Sequence, residues 1–94
     1  MLNSVKDFIK QSNQKIEREN KKVNELYRQI DEYEAVIDVI AQTGESKMIN
    51  FYREKINNCY TKIDIAIENI KHNRDVITTM KMVNKIIKRG EKVA

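Results

Sequence analysis

Apolar residues return along this chain every seventh position. From Leu2 onward one series reads Leu2, Ile9, Ile16, Val23, Ile30 and Ile37, apolar at every step. Calling these positions a, the d series is Val5, Ser12, Glu19, Leu26, Tyr33 and Ile40. A second register starts after residue 46, with Ile49, Ile56, Ile63, Ile70, Ile77 and Asn84 at a, and Tyr52, Cys59, Ala66, Asn73, Met80 and Ile87 at d. A sustained 3-4 spacing of this kind is the signature of helices that pack along a coiled-coil-like seam. The break is Thr43-Gly44-Glu45-Ser46. Gly44 suits the left-handed residue that follows a helix, and Ser46 suits an N-cap. Ser4 followed by Asp7 reads as a capping box at the start of the first helix. Gly90 is placed to end the second. The pattern predicts helix 1 over 4–42, a turn at 43–46 and helix 2 over 46–89, each roughly 60 Å long at the α-helical rise.

A short turn makes the helices antiparallel, and one alignment then satisfies every layer. If facing residues sum to 89, Tyr33 meets Ile56, Ile30 meets Cys59, Leu26 meets Ile63, Val23 meets Ala66 and Ile9 meets Met80. The expected fold class is therefore all-α, a single antiparallel two-helix hairpin over residues 1–94, completing a four-helix bundle with a partner or with itself. The layers differ in quality. Those near the turn are apolar throughout. Further down, Glu19 faces Ile70, Ile16 faces Asn73, Ser12 faces Ile77 and Val5 faces Asn84. The open half should be the weaker one. Glu19 either leans out to water or makes a polar contact that fixes register.

Composition supports this picture. The chain has 94 residues, two glycines and no proline. An average domain of this size holds about six glycines and four or five prolines. Loop-built active sites and glycine-rich phosphate cradles have no sequence from which to form. The single Cys59 excludes an intramolecular disulfide and a multi-cysteine zinc site. His72 shares a helix face with Glu68 and Asp75, but the spacing is Glu-x-x-x-His and no second histidine exists, so a solvated face is expected and no metal or other cofactor. With no base near Cys59 and no Ser/His/Asp set, the expectation is a non-catalytic protein. No apolar run approaches the length of a membrane span, and no signal peptide is visible. The expected compartment is the reducing cytosol, with export lacking a cleaved leader as the alternative.

Two features point to partners. Apolar residues lie outside a and d, including Phe8, Val76 and Val83 at g and Met82 and Ile86 on outer faces, so residues 76–87 are apolar on nearly every side. A helix apolar all round is normally covered on more than one side. Charge is also uneven. Residues 1–42 carry seven basic and eight acidic side chains, whereas 43–94 carry eleven and six. Lys71, Arg74, Lys81, Lys85, Lys88 and Lys92 form one stripe at b and e positions. Across the hairpin, Glu34 is within reach of Arg53 near the turn, but Lys6 approaches Lys81 lower down. The expected partner-binding residues are Phe8, Val76, Met80, Lys81, Val83, Lys85, Ile86, Ile87 and Lys88, and the expected partner is a helical protein or a second copy. Nucleic acid is the lesser alternative, because residues 61–94 contain no aromatic side chain on which a base could stack.

A helix, a short turn near the midpoint, a second helix and a length near 100 residues resemble the WXG-type small proteins of type VII secretion. The resemblance spans the whole chain and is architectural. The turn reads Ala41-Gln42-Thr43-Gly44-Glu45-Ser46, so the family's Trp-x-Gly is absent and Gly44 alone matches. Tyr60-Thr61-Lys62-Ile63-Asp64 has the letters of the family's Tyr-x-x-x-Asp/Glu export signal but lies early in helix 2, and Tyr27-Arg28-Gln29-Ile30-Asp31 has them too. These departures direct the resemblance to the accessory WXG-like partners of LXG toxins. It implies a hairpin that docks on an effector's N-terminal helical domain and promotes its export.

Overall fold

Heptads of apolar residues without proline give two long helices, α1 over Asn3–Ala41 and α2 over Ser46–Val93, packed against each other. The structure is a computed structural model that describes residues 2–93, with residues 91–93 described by their backbone alone. No strand occurs among the described residues. Gly44 takes φ +77°, the left-handed conformation expected after a helix end. The last turn of α1 tightens around Ile40, whose carbonyl accepts from both the Thr43 N–H at 2.8 Å and the Thr43 Oγ1 hydroxyl at 2.7 Å.

The helix ends differ from expectation in three places. Ser46 is the first residue of α2 rather than its cap, and the Glu45 carbonyl accepts the first bond, from the Ile49 N–H. Ser4 lies inside α1, because the Leu2 carbonyl already accepts from the Lys6 N–H at 3.0 Å. Gly90 does not terminate α2, which continues to Val93. A glycine costs a helix about 1 kcal/mol relative to alanine. That is too little to break a ladder flanked by the good helix formers Lys88, Arg89 and Glu91.

The hairpin divides into two compact units. The turn unit, Lys21–Ile67, has an apolar centre. Leu26, Ile30, Cys59 and Ile63 form one buried cluster, with Val23, Tyr33 and Ile56 packed against it. The pairs Leu26–Ile63, Ile30–Cys59 and Tyr33–Ile56 that the sum of 89 prescribes all fall within it. Ile63 is 2% exposed, and burying such a side chain stabilises by about 1.5–3 kcal/mol. Cys59 sits in this layer as a small hydrophobe, its thiol donating to Gln29 Oε1 at 3.8 Å. Toward the turn, the Tyr33 and Tyr52 rings lie 5.8 Å apart at 45°.

The open unit joins Met1–Asn20 to Glu68–Ala94. Its seam is mixed. Val5 and Ile70 are buried, but so are Ser12, Asn73 and Asn84. Asn73 satisfies its amide within its own helix, donating from Nδ2 to the Asn69 carbonyl at 2.8 Å. This local bond lets a polar d residue be covered without a partner from α1. Glu19 does not lean out to water. It is half-buried, with its Oε2 screened from solvent.

Candidate interaction surface

In a heptad, positions e and b lie on one side of the a/d seam and positions g and c on the other. This splits the expected partner-binding residues. Met80 and Ile87 are d residues and are half-buried in the seam. Val76 and Val83, at g, are also half-buried. Lys81, Lys85 and Lys88 are exposed on the e/b side. Phe8 and Ile86 are exposed on the g/c side, at 51% and 63%. The nine residues therefore occupy the two sides and the seam between them.

On the g/c side of the open unit, Phe8 and Val76 line one groove of about 310 Å³. Ser12, Lys15, Glu19, Asn69, His72 and Asn73 complete its walls. His72 faces solvent at its edge. Among the described residues, no group of three His, Cys, Asp or Glu is placed to hold a metal ion. No helix among them is long and apolar enough to cross a membrane. Met82, 59% exposed, lies one turn before Ile86 and extends the apolar surface of this end of α2.

The turn unit has its own exposed apolar side chains. Val39, Met48, Phe51 and Ile65 lie at g and c positions, and Tyr27, Tyr60 and Ile67 lie at e. Val39 and Phe51 were not among the expected surface residues. Their signal was their c position, which carries no seam role. Phe51 is partly screened by the Lys55 ammonium, 4.8 Å from its ring centroid, and by the edge of Tyr52.

Charge divides by unit on the e/b side. In the open unit, Lys6 and Lys10 of α1 and Lys71, Arg74, Lys81, Lys85 and Lys88 of α2 are all exposed there, with Glu17 as the acid. Lys92 belongs to the same stripe but lies outside the residues whose side chains are described. In the turn unit, the same positions carry Asp31, Glu34, Asp38 and Asp64, with Arg53 as the base. On the outer face of α1, Arg28 bridges Glu25 and Glu32. The hydrogen bonds from Arg28 hold the Glu25 carboxyl below the usual carboxylate range, and those same bonds push the guanidinium's own pKa further up. Both groups are exposed, so this pair orders a local surface more than it stabilises the fold.

Comparison of the chain with protein-family models, with curated proteins and with solved structures gives no match.

Proposed function

We propose that this protein is a non-catalytic helical interaction module that docks on a helical protein partner through the g/c side of its open unit. The observation that carries the reading is the exposure of Phe8 and Ile86 on this side of the open unit, with Phe8 lining a groove. Isolated exposed apolar residues are ordinary, but several large ones on one side of a unit are characteristic of docking surfaces. An amphipathic helix of the partner would lay its apolar residues across Phe8 and Ile86. The architectural resemblance to WXG-like accessory proteins extends the proposal: the partner is then the helical domain of an exported effector, and the hairpin assists its targeting.

The test is coexpression with the product of the adjacent gene, followed by co-purification. Binding is expected, and Phe8→Glu with Ile86→Glu should abolish it while leaving helicity unchanged, because both side chains face solvent. Undiminished binding by the double variant overturns the surface assignment. Val83 and Ile87 are unsuitable for this test, because they also pack within the hairpin.

A further inference from the structure

We infer that the e/b side pairs two copies of this chain, the basic flank of one open unit seating on the acidic flank of the other copy's turn unit. The inference rests on the reading of the chain as a docking module but uses a different surface. Its basis is charge complementarity within one sequence. The e/b positions of the open unit bring seven cations against one carboxylate, and those of the turn unit bring four carboxylates against one cation.

The apolar content fits the same occupant. The acidic flank carries the exposed Tyr27, Tyr60 and Ile67, whereas the basic flank has no exposed apolar side chain among the described residues. Lysine stems are apolar up to the ammonium, so Lys81, Lys85 and Lys88 can cover the tyrosine rings while their charges reach Asp31, Glu34 and Asp38.

Sedimentation equilibrium of the full chain tests this. A dimer is expected at low salt, weakening at least about tenfold between about 0.05 M and about 0.5 M salt. Lys81→Glu, Lys85→Glu and Lys88→Glu together should give a monomer, as should Asp31→Lys, Glu34→Lys and Asp38→Lys together. All six side chains are exposed, and circular dichroism should show both variants as helical as the parent. Mixing the two variants should give a 1:1 dimer weaker than the parent's, because the first keeps an acidic turn unit and the second a basic open unit, whereas the first variant's open flank is left with four cations and four carboxylates. A parent that stays monomeric, a dimer indifferent to salt and to both triple variants, or variants that do not pair on mixing would each overturn the inference. So would a monomer whose basic flank instead binds a single-stranded oligonucleotide in a salt-dependent manner. The failures are separable: the charge variants leave Phe8 and Ile86 intact, and Phe8→Glu with Ile86→Glu leaves the charged flanks intact.

Discussion

Replacing Ile63 by alanine should cost far more than replacing Ile77, although both occupy a positions of the same helix. Ile63 is 2% exposed and packs into the cluster of Leu26, Ile30 and Cys59. The change removes three carbons from a filled site. At about 0.8 kcal/mol per buried carbon, the transfer part is about 2.4 kcal/mol. The void left beside Leu26 and Ile30 raises the total to about 3–4 kcal/mol. Ile77 is only half-buried, in a unit whose seam holds Ser12 and Asn73. Part of its surface is already wet and its neighbours leave room to relax, so its loss should cost about 1–2 kcal/mol. Urea unfolding followed by circular dichroism measures the difference. Protein concentration should be held low and constant, since self-association adds to apparent stability. Stability of a chain this size is about 5–14 kcal/mol, so Ile63→Ala is expected to remain foldable in mild conditions. Ile63→Val, costing about 1 kcal/mol, provides the milder comparison. Equal losses at Ile63 and Ile77 would refute the claim that the turn unit holds the main core.

Asn73→Leu should raise stability by about 1 kcal/mol, because it exchanges a covered amide bonded only to its own helix for an apolar side chain of similar size; an unchanged or lower urea midpoint counts against the packing described. The two glycines should respond oppositely to alanine. Gly44→Ala is expected to lower the melting temperature at a cost of about 1–2 kcal/mol from the left-handed backbone, whereas Gly90→Ala, in a helical position with open space around it, should increase helicity seen by circular dichroism. Arg28→Met should raise the Glu25 carboxyl's pKa toward its ordinary value in a side-chain NMR titration. Because the folded carboxyl titrates below that value, the pair's contribution is present above the ordinary pKa and is lost as pH falls through the lowered one. Parent and variant should therefore converge in acid.

The sequence carried the seam well. A heptad position states directly whether a residue faces the other helix, and all twelve a and d residues of the second register are buried or half-buried. What it carried poorly was anything decided by small local energies. Gly90 looks like a stop signal in a string of letters, yet its helical cost is less than the bonds it would forfeit. Ser4 and Ser46 have the chemistry of caps, but the carbonyls of Leu2 and Glu45, upstream of them, take the first bonds. Exposure outside the seam was half legible: the heptad count marks Phe8 and Ile86, which are exposed, but it groups with them Val76, Met80, Val83 and Ile87, which are half-buried. The alternation of charge between the two units on one side required the register and the exposures together.

Cys59 is the chain's single cysteine, 5% exposed in the buried cluster of the turn unit. Its thiol cannot meet a reagent while Leu26, Ile30 and Ile63 surround it. The rate at which an alkylating agent consumes it therefore counts the openings of that one layer, with no second sulfhydryl to blur the reading. A partner that clamps the turn unit would slow that clock, and one that engages only the open unit would leave it running unchanged.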